Sequence, residues 1–245
     1  MKDVNKLIKL FEQYAHGQNY SAAFSNMLDH VLITFKFYET EEDQMDAFNQ
    51  LARYEKKDAH IALLTEIGEL AEGFEDPLGE LYQLLISKGQ NGQFFTPNPV
   101  TNFMSSILAT DELQPAQTLH DPACGSGRML LAAAKRNRHL YFLGADIDLL
   151  CCKMSLVNML LNSLTGEIAH MDTLSNKFYR GYKSNTILKD GYHYPYYREF
   201  TDTEESYIWL RPAAKSTSKG FDTPFVPTKP SLMHKGLQGN LFEQE

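Results

Sequence analysis

Two glycines follow an acid in the segment Asp-Pro-Ala-Cys-Gly-Ser-Gly at positions 121–127. The residues before this segment suit a short buried strand, and those after it, rich in Ala and Leu, suit a helix. Gly125 and Gly127 allow the backbone to come close to a ligand, and amides at the start of a helix favour a polar or anionic group. The segment therefore predicts a small-molecule site; a turn that needs glycine only for its own geometry is the alternative.

Acids also end the next two predicted strands. Asp146 ends the second strand, with Asp148 two residues later, and Asp172 ends the third. Carboxyl ends of parallel strands share one edge of a sheet, so we expect these acids to line one crevice with Asp121. An acid about 25 residues after the turn is well placed to accept hydrogen bonds from ribose hydroxyls. Helix capping is the alternative role for each acid, but three acids beside one glycine turn favour a ligand.

The class of ligand is narrowed by what the turn lacks. A dinucleotide fingerprint needs a third glycine where this sequence has Leu130. A phosphate loop needs Gly-Lys-Ser/Thr, which is absent from the sequence. We therefore expect an adenosine-containing cofactor without phosphates.

Alternating strands and helices must position these residues. The pattern predicts strands at 118–123, 140–147 and 167–172, with helices at 126–138 and 148–164. Strands joined by helical crossovers form a parallel sheet with right-handed connections. The fold class predicted is therefore α/β, with a parallel sheet that is truncated after its third strand.

Only helices are predicted before residue 88. Their patterns cover 2–16, a segment capped by Ser21, 41–74 with a break near 57–58, and a helix that starts at Asp76-Pro77. The predicted organisation is a helical domain at 1–88, an α/β domain at 89–210 and an extended tail rich in Pro and Lys at 211–245. Residues 175–200 are predicted to be irregular, with a further strand at 206–210.

Charge and cysteine content limit the classes of function. The net charge of −8 argues against a free-standing nucleic-acid binder. Residues 39–80 carry thirteen acids and three bases, a balance of −10, whereas 175–198 and 211–238 each carry five bases and one acid. Three cysteines without metal spacing, and no predicted signal peptide or membrane span, indicate a protein of the reducing cytoplasm.

The same residues resemble a known family. The segment at 121–127 is similar to the S-adenosylmethionine-binding signature of adenine-N6 DNA methyltransferases, particularly the modification subunits of type I restriction systems. Three more segments match in the same order: Gly-Gln-Phe-Phe-Thr-Pro at 92–97, Gly-Ala-Asp-Ile-Asp at 144–148 followed by Asn158, and Met-Asp-Thr-Leu at 171–174. The helical region, with Asp-Pro-Leu-Gly-Glu-Leu-Tyr at 76–82, also resembles the bundle that precedes the catalytic domain in those subunits.

The resemblance implies a Rossmann-like methyltransferase fold, S-adenosyl-L-methionine as the cofactor and adenine N6 in DNA as the methyl acceptor. By resemblance, Asp146 would bind the ribose, Ile147 would pack on the adenine ring and Asp172 would accept from the adenine amino group. The basic segments 175–198 and 211–238 are the candidate DNA contacts. The complete implied cofactor site comprises Phe95, Thr96, Pro97, Asp121, Pro122, Ala123, Cys124, Gly125, Gly127, Asp146, Ile147, Asp148, Asp172 and Leu174.

One element of that family does not occur in the sequence. The family's Asn/Asp-Pro-Pro-Tyr/Phe holds a flipped adenine through an amide, a proline carbonyl and a stacked ring, and this sequence contains no Pro-Pro. The aromatic run at 192–197 lacks the Asn/Asp-Pro-Pro frame. No catalytic residue is assigned, and two alternatives stay open: a non-catalytic module that binds the cofactor or a partner, and a relic that binds neither.

The predicted truncation leaves a strand edge that something must cover. We expect the basic, Tyr-rich segment 175–210 to cover it, through the strand predicted at 206–210 or with a partner chain, either a second copy or another protein.

Overall fold

Helices form the first part of the chain. The computed structural model describes residues 4–87, 96–108 and 117–211. The helices that precede the sheet are α1 (Val4–Tyr14), α2 (Tyr20–Phe35), α3 (Glu41–Ala52), α4 (Lys57–Ala71), α5 (Pro77–Tyr82), which continues as a π-helical turn at Gln83–Ser87, and α6 (Asn98–Leu108). None of the described helices is both long and apolar enough to cross a bilayer.

Side-chain caps set the starts of two of these helices. Asn19, not the predicted Ser21, caps α2, because its Oδ1 accepts from the backbone N–H groups of Ser21 and Ala22 at 2.9 and 3.2 Å. Asp76 caps α5 with Pro77 at the first helical position, which confirms the predicted start of that helix.

The first three strands pair in parallel as predicted, although the first of them is not the buried strand expected, since its residues alternate between exposed and half-buried. Strands β1 (Thr118–Asp121), β2 (Tyr141–Asp146) and β3 (Gly166–Asp172) pair in parallel, with α7 (Arg128–Ala134) and α8 (Leu149–Leu161) as the connecting helices. The parallel register places Asp121 opposite Gly144 and Asp146 opposite His170. The three strand ends therefore lie along one edge of the sheet.

A long hairpin extends the sheet where an irregular segment was predicted. Strand β4 (Lys177–Lys189) pairs antiparallel with β3, and β5 (Tyr192–Phe200) pairs antiparallel with β4, so the strand order is β1-β2-β3-β4-β5. Asp190 and Gly191 form the turn with φ of 52° and 81°. A two-residue Asp-Gly turn with positive φ is the connection that the strand twist favours, and this signal outweighs the mixed polarity that led to the wrong prediction.

The predicted strand at 206–210 is also wrong, because this segment follows a short 3₁₀ turn and stays irregular. Two side chains hold it in place. The carboxylate of Glu167 in β3 accepts from Ser206 Oγ at 2.5 Å and from the Tyr207 amide at 2.9 Å, and the Asn176 side chain bonds both backbone groups of Leu210. Segment 175–210 does cover the edge of β3, as expected, but it does so through β4.

One hydrophobic core joins the helices to the sheet. Phe11 and Phe24 from the first helices belong to the same buried cluster as Leu130, Phe142 and Leu160. Residues up to Arg211 form one compact unit. The boundary at residue 88 stays a prediction, and the predicted tail after Arg211 lies outside the described residues.

Most acids of the helical region are exposed, but Glu66 and Asp76 are buried, and Glu66 pairs with Lys6.

We expect the buried side chain of His60 to make the protein less stable in acid. Burial, reinforced by the charge of His30, lowers the pKa of His60 to about 4, whereas an unfolded histidine titrates near pH ~6.5. Between these two pH values the unfolded chain binds one more proton than the folded protein. The free energy of unfolding therefore decreases as the pH is lowered, by up to about 1.4 kcal/mol per pH unit. We expect the change in urea-unfolding free energy between pH 7.5 and pH 5 to be smaller in His60→Phe.

The comparison of the wild-type protein with His60→Phe isolates the contribution of His60 to the pH dependence of stability. Burial also raises the pKa of Asp76, Asp146 and Glu167, and raised carboxyl pKa values act in the opposite direction, since the folded state then binds the extra proton. Those groups are common to both proteins. Equal pH dependence in the two would show that His60 is protonated without cost.

Candidate functional site

The glycine turn leaves β1 and crosses toward the end of β2. Gly125 and Gly127 both have positive φ, of 54° and 84°, which side chains disfavour. The amide of Cys124 donates to Ala145 O at 2.8 Å, and the amide of Gly127 donates to Cys124 O at 2.8 Å. The backbone is therefore fixed against β2 before α7 begins.

Asp146 joins the turn to the end of β2. Its Oδ2 accepts from the amide of Gly125 at 2.9 Å, and its Oδ1 accepts from the amide of Asp148 at 2.9 Å. Burial raises the pKa of both Asp146 and Asp121. At Asp121 the negative charge of Asp146 adds a smaller upward effect. Two partly buried carboxyl groups near one turn favour a ligand that donates hydrogen bonds.

The other predicted acids hold their own turns. Asp121 Oδ1 accepts from the Ala123 amide at 3.1 Å, and Asp148 caps α8 by accepting from the Leu150 amide at 2.7 Å. Asp172 accepts hydrogen bonds from the hydroxyl and the amide of Ser175 and from the amide of Leu174. These bonds lower the pKa of Asp172, and the bond from the Ser175 hydroxyl has the largest effect. Helix capping, the alternative considered for each acid, is present only for Asp148 among them, because α7 begins after Gly127 without a side-chain cap and Asp172 is followed by β4.

Contacts between neighbouring strand ends bring the predicted residues to one edge. Thr173, just after β3, donates its hydroxyl to Pro122 O at 3.2 Å. The ring of His170 contacts Ile147 O through Nε2 at 3.1 Å. The ends of β1, β2 and β3 thus meet around the turn.

Large apolar side chains at this edge are left in contact with solvent. Ile147, after β2, is 64% exposed and Leu174, after β3, is 99% exposed. Isolated exposed apolar residues are ordinary on protein surfaces, but here they flank carboxylates at a strand end. They offer apolar surface to a flat ring.

The segment before α6 contacts the same region. The carbonyl of Thr96 accepts from Arg128 Nη1 at 3.2 Å, and Pro97 is exposed at the start of the helix. Phe95 lies outside the described residues.

Gly127 allows close helix packing, and its approach to a ligand stays a prediction. A Cβ on Gly127 would lie 2.6 Å from Ser155 Oγ and 3.3 Å from Ser155 Cα in α8. The missing side chain therefore lets the turn pack closely on that helix.

The cysteines behave as apolar residues. Cys124, Cys151 and Cys152 are buried, and burial raises the pKa of each thiol. A thiol of this kind is a poor nucleophile. The described residues contain no cluster of His, Cys, Asp or Glu suited to a metal ion.

The sequence predicted Asp76 as a helix cap but not its contacts with the turn. Its carboxylate accepts from Ser126 Oγ at 2.6 Å and from Arg128 Nε at 2.9 Å, and Arg128 is itself buried. Burial raises the pKa of Asp76, although the Arg128 charge opposes the shift. Contacts between residues 50 positions apart leave no local pattern from which they can be predicted.

Comparison with known proteins identifies the family. Two relatives are type I restriction enzyme methylase subunits: MpnII of Mycoplasma pneumoniae, 27% identical over 52% of this chain, and MjaVII of Methanocaldococcus jannaschii, 26% identical over 54%. The ribosomal protein L11 methyltransferase of Caldanaerobacter subterraneus subsp. tengcongensis is 32% identical over 46% of the chain and 37% of its own length. The chain spans about a quarter of each type I subunit, 26% in both cases.

The profile of the N-6 DNA methylase family matches residues 74–204, more than half of the sequence. The match begins just before the helix cap at Asp76 and ends after β5, so it includes the glycine turn and all three strand ends. The chain belongs to the N-6 DNA methylase family.

Proposed function

We propose that the chain binds S-adenosyl-L-methionine at the ends of β1, β2 and β3 and takes part in methyl transfer to adenine N6 in DNA. The observation that carries the proposal is the bond between the Gly125 amide and Asp146, which joins the glycine turn to the acid of the next strand. Membership of the N-6 DNA methylase family supports the reaction.

The residues at this edge fit such a cofactor. Asp146 and Asp172 present carboxylate oxygens to hydroxyl and amino donors, and Ile147 and Leu174 present exposed apolar surface to an adenine ring. When bound, the cofactor supplies an activated methyl group on a sulfonium centre. The remaining residues of the proposed set are Phe95, Thr96, Pro97, Asp121, Pro122, Ala123, Cys124, Gly125, Gly127 and Asp148.

DNA, partner subunits and a cytoplasmic location belong to the same proposal. The segments 175–198 and 211–238 are basic, although part of the first is neutralised within the hairpin region. Arg180 pairs with Glu199 at 2.7 Å, and Arg198 pairs with Glu205. The charge available to phosphates is therefore smaller than the count of bases indicates.

A second candidate is cofactor binding without catalysis by this chain alone. The missing Asn/Asp-Pro-Pro-Tyr/Phe favours it. The aromatic run at 192–197 belongs to β5, where Tyr197 is buried against Tyr182 while Tyr192 and Tyr194 are exposed. It is a pairing strand of the hairpin.

Calorimetric titration and a transfer assay test these candidates together. We expect S-adenosylmethionine to bind and its radiolabelled methyl group to be transferred to plasmid DNA. Purified ribosomal protein, included because one relative is a ribosomal protein L11 methyltransferase, should stay unlabelled. Binding without transfer would favour the second candidate. No binding at millimolar cofactor would refute both.

Replacement of Asp146 by alanine tests the site residue by residue. We expect the cofactor to bind more weakly by about 1–3 kcal/mol, because hydrogen bonds to the ribose are lost. Calorimetry on Asp43→Ala, which removes an exposed acid from α3, provides the control and should match the wild-type protein. Unchanged affinity in Asp146→Ala would remove Asp146 from the site.

A further inference from the structure

Asp76 stands apart from the cofactor site in sequence but touches its turn. It lies at the start of α5, between the helical region and the sheet, and is 3% exposed. Ser126, Arg128 and Asn158 contact it from 50, 52 and 82 positions along the chain. A side chain with partners in the turn and on both α7 and α8 is suited to fixing the turn, which lies just before α7.

Four donors surround the Asp76 carboxylate. Oδ1 accepts from the Gly79 amide and from Asn158 Nδ2, both at 2.8 Å. Oδ2 accepts from Ser126 Oγ at 2.6 Å and from Arg128 Nε at 2.9 Å. Because each oxygen receives two donors, an ionised carboxylate satisfies the set and an amide does not.

These bonds hold the central residue of the turn from two sides. Ser126 lies between the two positive-φ glycines, and its hydroxyl donates to Asp76 while its carbonyl accepts from Asn158 Nδ2 at 2.9 Å. One residue earlier, the amide of Gly125 donates to Asp146. The orientation of the turn therefore depends on Asp76 as well as on Asp146.

Gly79 makes this approach possible. A Cβ at that position would lie 2.1 Å from Asp76 Oδ2 and 2.6 Å from Ser126 Oγ, distances that real Cβ atoms do not show. The helix start and the turn thus meet without an intervening side chain.

We propose that Asp76 is a positioning residue that fixes the cofactor-binding turn from the helical region. Its effect on cofactor affinity rests on the function proposed above, whereas its effect on the turn itself does not. Cofactor binding and the packing of α5 are then linked, since each stabilises the same arrangement of Ser126.

Asp76→Asn is the sharpest test, because it keeps the shape but directs an amide NH₂ group at two donors. We expect hydrogen exchange at the amides of residues 124–128 to be about tenfold faster in the free protein and S-adenosylmethionine to bind about tenfold more weakly. Glu66→Gln is the matched control: it breaks another buried acid's pair, with Lys6 in the helical region, and should leave both measurements within about twofold of wild type.

The outcomes separate this proposal from the proposed function. If Asp76→Asn speeds exchange no more in the turn than in α1 and α4, its role is general stability and the proposal is overturned. If wild type does not bind the cofactor but exchange rises locally, the proposed function fails and the positioning role stands. If Asp76→Asn does not fold, Ser126→Ala removes a single bond and must show the same local pattern.

Discussion

Arg128→Met is expected to lower the free energy of unfolding by about 3–5 kcal/mol, because it leaves the Asp76 charge buried without its partner. The two side chains are 9% and 1% exposed, and they meet at 2.9 Å. Urea unfolding followed by circular dichroism measures the change. The double variant Asp76→Leu with Arg128→Met removes both charges, but it should not recover wild-type stability, because the donors of Gly79, Ser126 and Asn158 then lose their acceptor.

An exposed ion pair between the end of α7 and the residue before Asp76 gives the control for Arg128→Met. Lys135 and Glu75 meet at 2.7 Å with side chains that are 33% and 47% exposed. Lys135→Met should therefore cost less than about 1 kcal/mol. Similar losses in Arg128→Met and Lys135→Met would contradict the view that burial decides the worth of the first pair.

Gly127→Ala is expected to destabilise the protein by about 2–4 kcal/mol. Its φ of 84° costs a side chain about 1–2 kcal/mol, and the added Cβ would also press against Ser155 at 2.6 Å, as overpacked residues do. The same unfolding measurement tests this prediction.

Gly17→Ala separates the two contributions. Gly17 has a φ of 76°, but nothing lies within 4 Å of a Cβ built there, so only the conformational cost of about 1–2 kcal/mol applies. Adding Ser155→Ala to Gly127→Ala should restore part of the lost stability, because the closest atom, Oγ, is removed. If Gly127→Ala and Gly17→Ala lose the same amount, the contact with α8 has no energetic weight.

Local signals predicted the parallel part of the fold. Asp76-Pro77 marked a helix start, and the sequence around 121–127 marked a strand, a turn and a helix, each through residues within a few positions of one another. The hairpin was missed because tyrosines, lysines and asparagines obscure its alternation, although the Asp190-Gly191 turn was visible in the sequence.

Tertiary contacts could not be predicted in the same way. Nothing near Gly127 shows that Ser155 fills the space beside it, and nothing near Glu167 shows that it holds Ser206 and Tyr207. Such contacts depend on how distant elements pack, and a single sequence does not encode that in any short pattern. For the same reason, the sequence cannot decide whether a strand-end acid binds a ligand or caps a helix, since one carboxylate can accept hydrogen bonds in either role.

The shared core has a consequence for cooperativity. Phe24 and Leu130 lie in one buried cluster, and Asp29 bonds Lys153 across the boundary between α2 and α8 at 2.5 Å. Neither half of the described chain can lose its structure without exposing apolar surface of the other, so the two should melt in a single transition. The helices act as an inseparable half of the folding unit, and a mutation that destabilises their part of the shared core lowers the occupancy of the folded turn.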